Sequence, residues 1–345
     1  MAELINIKEI ELEDLASFLK ENGEKAFKAK QIWQWIWQQG ATSFEQMTNI
    51  SKITRDLLAT KYCFNALEEY KVQISSDGTK KTLWKMVDSE LVESVLIPSK
   101  NKYTVCVSSQ VGCKLACKFC ATGDLGFKRN LSASEIFEQV IRAKQDAEAL
   151  GSTLSNIVFM GMGEPLQNLD NVLKAIEHIT SEKGMAMSPY RITVSTAGIP
   201  NQIRRLADAK VRFNLAISLH SAKNGVRADL MPIAKAHSLV ELANALKYFV
   251  EQTGTRPTFE YLLLKGINDS LDDAKALAEY CRNFPIKINI IEYNSVSSSD
   301  YSHSPDKSRD AFAKYLENRN MIVTVRRSKG QDIDAACGQL AGKTK

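Results

Sequence analysis

Residues 103–123 read YTVCVSSQVGCKLACKFCATG. The first seven alternate as a strand, and a glycine- and thiol-rich loop follows. The same rhythm of strand, loop and helix recurs down the chain. Strand-like runs are SNIVFMG (155–161), YRITVST (190–196), FNLAISL (213–219), TFEYLLL (258–264) and IKINIIEY (286–293). Helical patterns follow the six strands at about 132–150, 168–181, 200–208, 237–252, 270–283 and 305–319, and MIVTVRR (321–327) ends the series. Alternating β and α segments predict parallel strands joined by crossover helices. Six units fall short of the eight of a closed barrel. The expected fold is therefore α/β, a partial (β/α)6 TIM-like barrel.

Upstream, residues 1–60 read as helical. FKAKQIWQWIWQQG (27–40) places Ile32, Trp33, Ile36 and Trp37 on one face, with Trp35 off the stripe as an exposed aromatic and Gly40 as a stop. Residues 68–97 switch to short β-like runs, with an Asp-Gly turn between the first two. The expected organisation is an N-terminal helical domain (1–65), a β-rich connecting segment (66–100), the barrel (101–330) and a C-terminal segment (331–345). No low-complexity stretch and no repeat beyond the βα alternation is present.

The chain has 345 residues, 44% hydrophobic and 25% charged, with net charge +5. This is ordinary for a globular protein. The mild basic excess is compatible with an RNA partner and does not establish one. The N-terminus is acidic and mixed, unlike a secretory signal, and no run approaches the ~20 apolar residues of a membrane span. The expectation is a cytoplasmic monomer without a membrane partner. In a reducing compartment, crowded cysteines serve as ligands or catalysts more often than as structural disulfides.

Four of the seven cysteines fall between 106 and 120. Cys113, Cys117 and Cys120 are spaced C-x3-C-x2-C, and Cys106 lies on the preceding strand. Three thiolates can hold three irons of a 4Fe–4S cluster and leave the fourth open to a ligand, as catalytic metal sites do. The alternative is a zinc site completed by Cys106 or His220, although zinc usually draws on two separated cysteine pairs. Cys63 and Cys281 belong to no motif and read as small apolar residues. Parallel-strand folds carry chemistry in the loops after strand C-termini. On that rule Gly161–Pro165, Ser195, Ser218–His220 and Asn294 converge with the three cysteines on one mouth.

C-x3-C-x2-C with Phe119 before the last cysteine resembles the signature of the radical S-adenosylmethionine superfamily. CVSSQVGCKLACKFCATG, FMGMGEPLQN, ITVSTAG, ISLHS and RRSKGQDIDAACGQL, in that order, resemble the RlmN/Cfr group of RNA adenine methyltransferases over nearly the whole chain. The resemblance implies a 4Fe–4S cluster on Cys113, Cys117 and Cys120. It implies S-adenosylmethionine contacts at Gly163, Glu164, Ser195, Ser218, Leu219, His220 and Asn294, with two molecules used per turnover and an external one-electron reductant. It also implies Cys337 as an S-methylcysteine carrier, Cys106 as a resolving thiol in a transient disulfide with Cys337, and Glu93 as proton acceptor. The implied partners are 23S rRNA and tRNA.

Pro165 points to the branch that methylates carbon 2 of adenine rather than carbon 8. Read without the resemblance, Cys106 and Cys337 are buried small residues, and Glu93 is a solvated strand carboxylate. A non-catalytic iron–sulfur carrier or zinc-structured RNA-binding module is the reading from another class, but it would need neither Gly163–Glu164 nor Cys337. AACGQLAG around Cys337 is rich in small residues and is expected to lie flexibly over the mouth. Lys25, Lys28, Lys30, Arg326, Arg327 and Lys329 are candidate phosphate contacts.

Overall fold

The computed structural model describes residues 4–296 and 299–342. Residues 1–3 of the expected N-terminal domain and 343–345 of the expected C-terminal segment lie outside them.

One ten-stranded sheet organises the chain, and its spatial order follows its sequence order. The strands are β1 (Glu68–Ile74), β2 (Lys80–Lys85), β3 (Leu91–Ser99), β4 (Lys102–Cys106), β5 (Thr153–Phe159), β6 (Ile192–Thr196), β7 (Asn214–Ser218), β8 (Thr258–Leu263), β9 (Lys287–Glu292) and β10 (Ile322–Arg326). From β4 to β10 every neighbouring pair is parallel. The first three strands add antiparallel to the edge at β4. The segment expected to connect two domains is thus part of the barrel sheet. β4 spends its second edge on β3, so the sheet curls without closing between β4 and β10. A lateral opening remains there.

The crossover helices lie within two residues of the expected boundaries, because their caps are written locally. Ser132 with Glu135, Ser238 with Glu241 and Ser270 with Asp273 form reciprocal capping boxes. A further helix, Asn224–Leu230, and a hairpin pairing Gln110–Gly112 with Phe127–Asn130 are too short to show periodicity, and the sequence pattern missed them. Among the described residues no helix is long and apolar enough to cross a membrane.

Helices Leu12–Glu21, Phe27–Gln34 and Lys52–Ala59 pack on the barrel's flank. Trp37 is fully buried, edge-on to Phe137 at 4.8 Å and stacked on His178 at 3.6 Å. Burial pushes the His178 pKa down to about 4, so the ring stacks uncharged. Lys8 and Glu138 form a buried ion pair at 2.6 Å across the same interface. Deleting one partner of such a pair costs about 3–5 kcal/mol. The helix from Phe27 widens into a π turn at Trp35–Gln39 before stopping at Gly40, which is left-handed. The stripe holds through that turn, with Ile32, Trp33, Ile36 and Trp37 all buried. Trp35, expected to be exposed, is half-buried, and its indole N–H donates to Asn49.

Candidate active site

The loop that follows β4 is shaped by backbone constraints. Gly112 has φ +73°, and a Cβ there would stand 1.8 Å from the Gly126 carbonyl oxygen, so only glycine fits. The loop is pinned by Cys113 N–H to Gly126 O at 2.8 Å and Lys118 N–H to Leu230 O at 3.0 Å. Cys113, Cys117 and Cys120 line a cavity of about 170 Å³ at the strands' C-terminal ends. Gly163, Glu164, Ser195, Ser218 and His220 line the same cavity. Gly163 has φ +99°, and a Cβ on it would lie 2.5 Å from the Gln110 side chain. The glycine therefore lets the chain after β5 seat against the thiol loop.

Each thiol is pushed up by burial. Cys113 rises to about 12, and Cys117 is raised by burial and then by the neighbouring Cys120 and Cys113. Buried thiols that repel one another as anions need a compensating cation to ionise, which iron supplies. Among the described residues no three His, Cys, Asp or Glu side chains crowd a single-ion site. Three thiols on one cavity wall are the kind of ligand set that holds an iron–sulfur cluster. The donor set therefore fits a cluster.

The remaining groups of this cavity are held still. Glu164 is buried; its two oxygens accept from Ala197 N–H at 2.7 Å and Leu166 N–H at 3.0 Å, and burial raises its pKa. His220 has φ +57°, lies edge-on to Phe119 at 4.7 Å and accepts at Nδ1 from Leu262 N–H at 3.0 Å. Burial takes its pKa down to about 3, so it remains neutral. Leu219 and Asn294 do not line the cavity. Leu219 is buried just past the end of β7, its N–H donating to Glu260 O at 3.0 Å, while the Asn294 amide donates to the Cys337 carbonyl at 3.2 Å and accepts from Gln331.

A second cavity, of about 260 Å³, fills the lateral opening between β4 and β10. Cys106, Arg326, Arg327, Lys329 and Glu260 line it. Cys337 lines both cavities and forms part of the wall between them. Cys337 is exposed, whereas Cys106 is buried and its thiol is pushed up by burial and then by Cys337. The two thiols therefore lie within electrostatic reach of each other.

The segment carrying Cys337 is anchored rather than draped loosely. Ala121 N–H donates to Gly338 O at 2.7 Å, and the Thr122 hydroxyl donates to Leu340 O at 2.6 Å. Asp77 accepts from Gly330 N–H at 3.0 Å, and Asp332 accepts from the Ser75 hydroxyl at 2.6 Å. Small side chains had suggested mobility, but they permit close backbone hydrogen bonding instead.

Glu93 is 3% exposed, not solvated. One of its oxygens pairs with Lys81 at 3.2 Å, and the other accepts from the amides of Ala341 and Gly342 at 2.8 and 3.1 Å. It lines neither cavity. Of the candidate phosphate contacts, Lys28 is committed to Glu24 at 2.6 Å, whereas Lys25, Lys30, Arg326 and Arg327 are exposed.

Three residues that the sequence reading passed over belong to this region. Lys81 holds Glu93, as described. Arg227 is 1% exposed, donates to Ala197 O at 2.6 Å and acts electrostatically on Cys117. Glu260 is buried on the wall shared by both cavities. None carries a motif. The one available signal was Glu260, a lone acid within the apolar strand TFEYLLL.

A parallel partial barrel with three loop cysteines gathered at its C-terminal mouth is the architecture of radical S-adenosylmethionine enzymes, and the model of the radical SAM superfamily matches residues 107–281. The members of that superfamily use a 4Fe–4S cluster and S-adenosylmethionine. A second model, for the ribosomal RNA large subunit methyltransferase N-terminal domain, matches residues 5–64. The chain is 48% identical to a probable dual-specificity RNA methyltransferase RlmN of Cytophaga hutchinsonii, covering 98% of this chain and 93% of that protein. It is 42% identical to the dual-specificity RNA methyltransferase RlmN of Pelobacter propionicus, with 99% and 97% covered. A crystal structure of a radical SAM methyltransferase from Sphaerobacter thermophilus superposes with a TM-score of 0.94 at 38% identity, covering 98% of this chain and all of that one. The chain belongs to the RlmN family of radical SAM RNA methyltransferases.

Proposed function

We propose that this enzyme methylates carbon 2 of adenine in 23S rRNA and in tRNA, through a thiol relay. The supporting observation is the place of Cys337, in the wall between a cavity lined by three cysteines and a cationic cavity that opens sideways. Carbon 2 lies between two ring nitrogens and is too electron-poor to attack a methyl sulfonium, so a carbon radical is required. Cys113, Cys117 and Cys120 would hold the cluster, which with S-adenosylmethionine would supply a 5′-deoxyadenosyl radical.

In this reading Glu164, Ser195, Ser218 and His220 orient S-adenosylmethionine, and Gly163 lets the backbone approach it. Asn294 positions Cys337 through its carbonyl. The Cys337 sulfur takes a methyl group from one S-adenosylmethionine by displacement. After a hydrogen atom is lost to the radical from a second molecule, the methylene on Cys337 bonds to carbon 2. Glu93 accepts the carbon 2 proton. The adduct radical gives up one electron, which the cluster would accept. The Cys106 thiolate then attacks the Cys337 sulfur, and the bond from that sulfur to the methylene carbon breaks. The carbon takes up a proton to become the methyl group, and the resulting disulfide is opened by exchange with cellular thiols. An external one-electron reductant feeds the cycle.

The target base must leave its stack to reach the lateral cavity. That costs a few kcal/mol and least in loops or single strands. The N-terminal helices (1–65) act as an RNA-binding accessory to the sheet (66–330), and residues 331–345 carry the relay thiol. The test is mass spectrometry of nucleosides from cells lacking the gene. Loss of 2-methyladenosine from 23S rRNA and tRNA supports the reading. Loss of 8-methyladenosine instead assigns the chain to carbon 8 chemistry.

A further inference from the structure

Glu260 is the one acid on the wall between the cavities that no step above uses. It sits on β8 opposite Ser218 of β7 and Asn289 of β9, on the face that points into the barrel. It is 4% exposed. Oε1 accepts from the Asn289 amide at 2.9 Å. Oε2 has no hydrogen-bond partner among the described residues. A buried carboxyl oxygen without a partner carries a desolvation cost of about 1–3 kcal/mol or more, so such an atom calls for an explanation. Structural packing does not provide one here, because the residue lines two open cavities. The charged side chain that acts on it is Arg326 on β10, two strands along the sheet, and Cys337 lines the same two cavities.

We propose that Oε2 of Glu260 accepts a hydrogen bond from the exocyclic amine of the target adenine and so selects that base. The proposal rests on the adenine carbon 2 reading above. Adenine carries carbon 2 and its exocyclic amine on one edge of the six-membered ring, on either side of N1. A wall that offers Cys337 and Glu260 side by side can address both positions at once. The cationic rim of Arg326, Arg327 and Lys329 suits the backbone phosphates on either side of an extruded nucleotide. A base with a carbonyl at that position, such as hypoxanthine, would set one acceptor against another. A site built to hydrogen-bond a donor discriminates strongly against analogues that lack it, because its own polar group is then left unpaired.

The experiment uses the full-length, cluster-loaded enzyme and three stem-loop RNAs that differ only at the target, carrying adenine, hypoxanthine or unsubstituted purine. Competition between them is read as methylated product by mass spectrometry. Methyl occupancy of Cys337 is measured separately by intact mass, since that transfer needs no RNA. Wild type should prefer adenine over purine by about 10- to 100-fold, the range of a hydrogen bond to a charged group. In Glu260→Gln the side-chain oxygen stays on Asn289 and the amide N–H₂ faces the cavity, so preference should move towards hypoxanthine. In Glu260→Ala adenine and purine should react alike, which keeps the test open should the glutamine variant fold poorly. Cys337 should remain methylated in both variants. An unchanged adenine-to-purine ratio in Glu260→Ala overturns the proposal, and so does loss of Cys337 methylation, which would assign Glu260 to the methyl-donor side. If wild type makes no 2-methyladenosine at all, the parent reading fails, and that outcome is distinct from the others.

Discussion

The two cavities that meet at Cys337 are built on opposite plans. The inner one is lined by groups already committed: Glu164 caps two amides, and His220 is neutral and bonded. Its walls come from strand ends locked in one sheet. The outer one lies where the sheet fails to close, and exposed Arg326, Arg327 and Lys329 rim it. A preformed, inward-facing pocket suits a small cofactor, and a cationic opening suits a large polyanion. In the proposed relay the difference separates the chemistry of the cofactor from that of the RNA, and Cys337, on the wall of both cavities, passes between them.

If that division holds, damage on one side should leave the other working. The largest effect is expected from Cys117→Ala, which should lose most iron and all S-adenosylmethionine cleavage after anaerobic reconstitution. Iron assay and chromatography of 5′-deoxyadenosine check this, and Cys106→Ala should retain full cleavage.

Cys106→Ala should instead stall at the end of the cycle, leaving RNA covalently attached to Cys337. The nucleic-acid absorbance should survive denaturation and vanish in the double variant with Cys337→Ala. Free, normally methylated RNA from the single variant would remove Cys106 from the relay. Burial holds the Cys106 thiol well above the ordinary range, so its attacking thiolate grows about tenfold per pH unit through neutrality. Resolution in wild type should quicken with rising pH accordingly.

Arg326→Ala and Lys329→Ala should each weaken RNA binding across sequences. Each should also flatten the salt dependence by about 0.7–0.9 in log–log slope. Cofactor cleavage without RNA should not change. A lost slope together with lost cleavage would mean that the two cavities are not independent.

The smallest effect concerns the anchor of the Cys337 segment. Burial raises the Asp77 pKa, but hydrogen bonds from Thr79, the Gly330 amide and Ser75 outweigh it and bring it to about 2. A carboxylate depressed on folding stabilises above its unfolded pKa, here 3.8, and loses that contribution as pH falls towards 2. Protection from hydrogen exchange in residues 330–342, taken relative to the intrinsic rate at each pH, should fall across that window in wild type. In Asp77→Asn, that protection should depend little on pH over the same range.

Much of this architecture is legible in the residues because its determinants are local. Strand runs, serine–glutamate caps and the C-x3-C-x2-C loop each signal within a few positions, and together they fix the barrel and the inner cavity. The outer cavity was not legible. It depends on β3 occupying the edge of β4, and on contacts such as Glu93 with Ala341 that span most of the chain. Lys81, Arg227 and Glu260 were missed for the same reason, since each gains meaning only from distant neighbours. Glu93 was named for its likeness to a family residue, but its burial and its clasp by Lys81 had no local sign.

That clasp bears on timing. With the chain end seated, Lys81 and two backbone amides surround the Glu93 carboxylate, and Ala341 and Gly342 stand over it. That carboxylate lines neither cavity while those amides hold it. If Glu93 is the proton acceptor proposed above, residues 330–342 form an interlock: the carboxylate is shielded while Cys337 is loaded and is uncovered only when the segment that carries the thiol moves. In that reading the order of events is written into the hydrogen bonds that seat this segment, with no separate switch.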